Sequence, residues 1–372
     1  MKKKFIVFLA ILGLLLGITG CERGFDKDRI NGIGSQYGFV SPMFSPDNKK
    51  LIFGLCTVNN CDLATYEIQA NKLSVFNPTG NKYNCNPSYS KDGKKIVFDS
   101  GPDHDINWNS DIYIMNADGS DVHQLTHDYN NNPIKEGDQI IIKYNVRPTF
   151  SPDGKKVLFK RAGVVRERSM GQGKMLSHWD IYEVNIETGI EKRLTNYKFY
   201  QMSRPYSLSD GKRFIFSGDG PQNNTGVGPK DFREYEEKYQ DNKIFIMDGK
   251  NNLLRPMFMH GRYSAHPAVT KDDAILFLSI TNEMDGLPRN PYNYDLFLKK
   301  GEKITRLTKM GANITPQDAI SLDGSKVVFV AIKERKTGRT SLWMVNSDGT
   351  GLQKIELPWE QLEQTNIKPK NK

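Results

Sequence analysis

Six polar side chains recur at one position of a repeated segment, and three of them can carry positive charge. Ser41, Asn86, Arg147, Arg204, His266 and Gln317 each stand six residues before an aspartate, at 47, 92, 153, 210, 272 and 323. Brought together, two arginines and a histidine could clamp a carboxylate through charge-assisted, bidentate hydrogen bonds. A carboxylate-bearing sugar or a peptide terminus is the ligand class that suits them. The same side chains could instead solvate a rim and satisfy backbone carbonyls, since polar rims are common and pockets few.

Other chemistry is sparser. Asp103, His104 and Asp105 could serve acid–base or metal roles, although such residues are abundant in loops. Cys56 and Cys61 bracket Thr57 to Asn60, a loop one disulfide could close, which leaves Cys85 over. No histidine lies near them in sequence, so no metal site and no cofactor is expected. There is no Gly-x-Ser-x-Gly elbow, no phosphate-cradling glycine loop and no His-Glu-x-x-His. The balance is against an enzyme.

The elements that position these residues form repeats. Pro42 to Asp47, Pro87 to Gly93, Pro148 to Gly154 and Pro205 to Gly211 share a proline, an aromatic or serine centre and an acidic turn; Pro267 to Asp272 and Asp318 to Gly324 follow less closely. An apolar strand containing Phe53, Phe98, Phe159, Phe216, Phe277 or Phe329 comes after each turn. Alternating strands begin at Asp111, Asp180, Lys243 and Ser341, run into turns at Gly119, Gly189, Gly249 and Gly349, and three units close on Leu125-Thr126, Leu194-Thr195 and Leu307-Thr308. Asp-Gly between apolar runs marks a tight hairpin. Four strands per unit and six units predict an all-β, six-bladed β-propeller of four-stranded antiparallel blades over residues 40–356.

These segments resemble the repeats of the TolB-like propeller family, with its Pro-x-aromatic-Ser-x-Asp-Gly hairpin, Ile-Tyr strand and Leu-Thr. The resemblance implies the fold and says little of activity, because such propellers serve both as binding platforms and as parts of enzymes, some of them lyases of pectate fragments that use channel-mouth histidines and a metal. Only His266 is placed suggestively for that. Residues 22–39 are too few for the α/β domain that precedes the propeller in TolB itself.

Strand order puts both short turns of each unit on one face. The long insertions, 99–110, 127–146, 160–179, 217–242 and 278–293, then belong to the other face, the expected functional surface. Residues 160–179 carry Lys160, Arg161, Arg166, Arg168 and Lys174 against Glu167 alone, which reads as a solvated charge run or a docking rim.

At the N-terminus, Lys2 to Lys4 precede an apolar run from Phe5 to Leu16, and Ile18-Thr19-Gly20-Cys21 resembles a bacterial lipobox. Residues 1–20 are expected to be a lipoprotein signal peptide, 21–39 a lipidated Cys21 and tether, and 357–372 a polar, basic tail. The predicted location is extracytoplasmic, on the outer membrane where a cell has two. Losing the leader lowers the net charge from +9 to +6, since it holds three lysines and no acids. With no nucleic-acid motif beside that charge, the expected partners are a membrane through the anchor and an envelope protein or cell-wall glycan. The expected role is a non-catalytic binding platform, with a lyase or hydrolase of an acidic saccharide as the alternative.

Overall fold

A computed structural model describes residues 38–57, 60–102, 110–127, 134–136, 139–141, 144–167, 174–199, 201–219, 243–248, 253–257, 264–281, 285–286, 293–310, 313–332 and 340–364. The described strands pair as successive antiparallel meanders. The first is β1 (Gly38–Phe44), β2 (Lys50–Cys56), β3 (Cys61–Glu67) and β4 (Lys72–Phe76); the second is β5 (Tyr83–Tyr89), β6 (Lys95–Gly101), β7 (Asp111–Asn116) and β8 (His123–Gln124). A short hairpin, β9 (Ile134–Glu136) and β10 (Gln139–Ile141), precedes the third, β11 (Tyr144–Phe150), β12 (Lys156–Glu167), β13 (Lys174–Asn185) and β14 (Glu191–Arg193). In the next, β15 (Gln201–Met202) and β16 (Tyr206–Ser207) together face β17 (Arg213–Asp219), followed by β18 (Lys243–Asp248) and β19 (Leu253–Met257). Then come β20 (Ser264–Val269), β21 (Ile275–Ile280), β22 (Tyr294–Lys300) and β23 (Lys303–Arg306), and last β24 (Asn313–Ile320), β25 (Lys326–Ile332), β26 (Thr340–Asn346) and β27 (Gln353–Lys354). This is an all-β propeller of four-stranded antiparallel blades.

The repeated residues each have a local task. In the first turn the Ser45 hydroxyl donates to Asp47 Oδ1 at 2.6 Å, and Lys50 N–H donates back to Ser45 Oγ. Ser90 with Asp92, Ser151 with Asp153 and Ser321 with Asp323 repeat this, and the serine hydroxyls hold Asp47, Asp92 and Asp153 below the ordinary carboxylate range. The turn needs a left-handed residue, supplied by Gly93, Gly154, Gly211 and Gly324, by Asn48 in the first unit and by Asp273 in the fifth. Leu-Thr closes the other end: Thr126, Thr195 and Thr308 donate to the buried Asp111, Asp180 and Asp295, each at 2.7 Å, while accepting the N–H of Ile112, Ile181 and Leu296. A second donor, from Gln124, Arg193 or Arg306, completes each carboxylate.

The phenylalanine after each turn is 0 % exposed in all six units, at 53, 98, 159, 216, 277 and 329. Apolar clusters form across the seams; Val97 and Ile112, for instance, pack with Phe159 and Val184 of the following unit. The first and last units join in the same way, through Phe39, Phe53, Ala319, Val328 and Leu342. Asn48 also donates to Asp323 at 2.8 Å across that seam. Leu357, expected to open a polar tail, is buried here, and the Trp359 ring packs at a tilt against Phe39 (ring centroids 6.0 Å apart). A short helix, α1 (Glu360–Gln364), follows; its Gln361 accepts from Leu73 N–H of β4 and donates to Asn71 O. The chain's end thus latches the last unit to the first.

Two insertions expected as long loops contain strands. β12 and β13 run 12 residues each, paired from Lys156↔Asn185 to Glu167↔Lys174, and β10 joins them through Ile140↔Val165. Gly218 of β17 permits a close approach: a Cβ there would lie 2.9 Å from Gln201 O and 2.9 Å from the Phe199 ring. Gly218→Ala is therefore expected to cost about 1–3 kcal/mol by overpacking. Thermal denaturation checks this, and an unchanged midpoint would show that the β15–β17 contact gives way freely.

Candidate functional site

The residue six before each turn aspartate sits at an irregularity of the unit's first strand. Ser41, Asn86, Arg147 and His266 have φ of 49°, 52°, 58° and 53°, and pairing slips between Val40 and Met43, Cys85 and Ser88, Val146 and Thr149, and Ala265 and Ala268. A proline follows each one, a residue with no N–H for the ladder, so a bulge is the natural resting place. In the fourth unit the strand breaks outright into β15 and β16, with Arg204 in the gap. In the last, pairing slips between Ile314 and Asp318, around Gln317. At two of these sites the freed backbone N–H turns to the preceding unit, Arg147 N–H to Asp99 and His266 N–H to Ser217.

First strands lie beside one another around the ring, β1 against β5 and β24, and β5 against β11. Across these contacts runs a buried polar chain. Ser41 donates to Asn86 Oδ1 at 2.6 Å, Asn86 Nδ2 donates to Asp99 Oδ2 at 3.1 Å, and Arg147 N–H donates to Asp99 Oδ1 at 2.9 Å. His266 N–H is held by Ser217 Oγ at 2.9 Å. Lys160 Nζ donates to Met202 O at 2.8 Å and lies 4.0 Å from the centre of the Trp179 ring. Arg204 reaches across to the second unit, Nη1 to Pro87 O at 3.3 Å; its Nη2 is buried with no hydrogen-bond partner.

Arg147, Arg204 and Lys160 are 8 %, 6 % and 2 % exposed, and Asp99 is 0 % exposed. Three cations thus share one buried carboxylate. Burial, reinforced by Arg204, pulls the Arg147 guanidinium down, and burial with Arg147 beside it takes Lys160 well below the ordinary lysine range. Burial and the same two cations carry His266 well below its usual value, leaving a neutral imidazole. Asp99 is pushed up to about 6, chiefly by burial. The arrangement is short of negative charge and holds an unused guanidinium donor.

No protein-family model matches this chain, and no curated protein does. Solved structures do. TolB from Acinetobacter baumannii is 18 % identical with a TM-score of 0.53, over 86 % of this chain and 63 % of that one. A putative TolB from Agrobacterium tumefaciens is 16 % identical with a TM-score of 0.50, over 83 % of this chain and 90 % of the other. The chain has the TolB-like β-propeller fold. An oligogalacturonate lyase in complex with manganese shares that fold, at 12 % identity and a TM-score of 0.50, over 87 % of this chain and 78 % of the lyase. The chain spans less than two thirds of the A. baumannii protein.

In this TolB-like propeller the structure gathers Ser41, Asn86, Arg147, Arg204 and His266 into one region, and adds Asp99 and Lys160, which the sequence reading placed in insertions. The solvated charge run at Lys160 and Arg161 is a correction: both are buried, Arg161 bonded to Asn145 and Glu191. A signal for them existed. Asp99, Lys160 and Ser217 each follow the strand phenylalanine of their unit, at 98, 159 and 216. Cys56 and Cys61 are joined in a disulfide, and Cys85 is a thiol buried beside them. These three cysteines are the group of metal-ligating side chains that lies within mutual reach among the described residues. Cys21, Asp103, His104, Asp105 and the side chain of Gln317 lie outside the described residues.

Proposed function

We propose that the chain is an extracytoplasmic, lipid-anchored binding platform, a closed six-bladed ring that takes an anionic group of its ligand between Arg147, Arg204 and Lys160. The observation that carries this is the partnerless, buried Arg204 Nη2 among cations that outnumber Asp99. Buried donors without partners are costly, and a carboxylate of a cell-wall glycan or of an envelope protein would satisfy this one. Anchoring through Cys21 would hold the platform at the membrane where such ligands occur. A lyase acting on an acidic saccharide is the second reading; it draws on the same cations and on the lyase that shares the fold.

The test is pH. Between neutrality and mild acid a ligand carboxylate stays ionised, while Asp99 gains a proton near pH 6. Removing that negative charge strengthens anion binding. Affinity for trigalacturonate is therefore expected to rise about tenfold or more as pH falls through 6, on the order of 1.4 kcal/mol of relieved repulsion. Asp99→Asn should bind at neutral pH as tightly as the wild type does in acid, and lose most of the pH dependence. Stability moves the same way: a carboxyl raised in the folded state favours folding most below its unfolded pKa, and that advantage is lost as pH rises through about 6. Affinity that is flat or rises with pH contradicts the proposal.

A further inference from the structure

Three sulfur atoms meet where the first two units join. Cys56 ends β2, Cys61 opens β3 directly across from it, and Cys85 lies on β5. Cys56 and Cys61 are bridged, and Cys85 Sγ is 3.7 Å from Cys56 Sγ. All three sulfurs lie within 4.8 Å of one another, and the residues are buried. Gly54 makes the room, since a Cβ there would sit 3.2 Å from Sγ of both Cys61 and Cys85. The approach is fixed by the backbone: β3 and β5 run parallel here, Cys61 opposite Tyr83, with Cys61 N–H donating to Lys82 O.

We propose that this trio is a thiol–disulfide exchange site in which the bridge moves between Cys56–Cys61 and Cys56–Cys85. The Cys85 thiol gives up its proton and attacks Cys56 Sγ. A Cys85–Cys56 bond forms, the Cys56–Cys61 bond breaks, and Cys61 leaves as a thiolate that takes up a proton. One disulfide and one thiol stand on each side, so no oxidant or reductant is consumed. Contact between the sulfurs makes the step intramolecular, and a rotation of the Cys85 side chain is what brings the three sulfurs into line.

The two bridges have different consequences. Cys56–Cys61 closes a hairpin inside one unit, whereas Cys56–Cys85 ties two units and closes a longer loop, restraining the unfolded chain more. Asn86 follows Cys85 and holds both Ser41 and Asp99. A bridge at Cys85 therefore pins the bulge that forms one wall of the cation cluster.

Trypsin distinguishes the states. Cleavage after Lys50 and Lys72 releases Cys56 and Cys61 on one peptide, 51–72, and cleavage after Lys82 and Lys91 releases Cys85 on another, 83–91. The full chain, held unreduced in mildly alkaline buffer, is quenched in acid with N-ethylmaleimide, digested without reduction and weighed by mass spectrometry. The expected result is a linked 51–72/83–91 pair from the monomer at about 1 % or more, the level of a minor state a few kcal/mol above the major one. Cys61→Ser, oxidised with glutathione disulfide, should give that pair in full, and Cys85→Ser none of it. A wild-type monomer yielding only internally bridged 51–72 and alkylated Cys85 overturns the proposal, as does a linked pair confined to dimers.

Discussion

Replacing Arg204 by alanine is expected to weaken binding of an acidic ligand about a hundredfold while leaving the fold intact. In the free protein this guanidinium makes one hydrogen bond, to Pro87 O, and leaves Nη2 unpaired next to Arg147 and Lys160. Removing it relieves repulsion between buried like charges, so stability should hold or rise. A bound carboxylate, in contrast, gains charge-assisted hydrogen bonds from it, and losing roughly 3 kcal/mol of such bonding corresponds to that hundredfold. Arg204→Lys should recover part of the affinity, because an ammonium keeps the charge and loses the planar fork. Calorimetry with trigalacturonate and urea denaturation of the same samples check both halves. Unchanged affinity, with stability lower by 2 kcal/mol or so, would make Arg204 a structural residue instead.

The largest effect on stability is expected at Asp180. The residue is 1 % exposed, and its carboxylate accepts from Thr195 Oγ1, Arg193 Nη2 and Tyr197 N–H. Thr195 in turn accepts Ile181 N–H, so one side chain organises the middle of β13, the end of β14 and the chain leading to Phe199. Burial raises the Asp180 pKa, and the hydrogen bonds from Thr195 and Arg193 oppose that rise. Asp180→Ala leaves at least two buried donors without acceptors and should cost about 3 kcal/mol or more. Lys50→Ala, which removes an exposed ion pair with Glu67, should change little. Urea midpoints of the two variants decide the matter; equal midpoints would mean that water replaces the carboxylate at little cost.

Much of this architecture is written locally and was legible. Where a hairpin has the serine, aspartate and glycine, as at Ser90, Ser151 and Ser321, they act within five residues of one another, so their spacing reveals the turn. Leu-Thr was visible as a recurrence, but its reason was not, because Thr126, Thr195 and Thr308 bond carboxylates 13 to 15 residues back along the chain. The cation cluster was half legible. Arg147, Arg204 and His266 announced themselves by position relative to the turn, whereas Lys160 looked like surface charge, its burial depending on Trp179 and on Met202 O, 42 residues away. Asp99 likewise needed the seam between two units, where Arg147 N–H meets it. The insertions around β9, β10 and the outer halves of β12 and β13 pair chiefly with one another, which no single segment's alternation could declare.

The central claim, that the cluster takes an anionic ligand, is tested most directly by a thermal-shift comparison of one acidic and one neutral saccharide of equal length on residues 21–372 with Cys21 replaced by serine. A ligand that binds only the native state at a hundred times its dissociation constant adds about 2.7 kcal/mol. The account predicts a rise in melting temperature with trigalacturonate, none with the neutral trimer, and none with either in Arg204→Ala. Equal shifts from both sugars, or a trigalacturonate shift that survives Arg204→Ala, would contradict it.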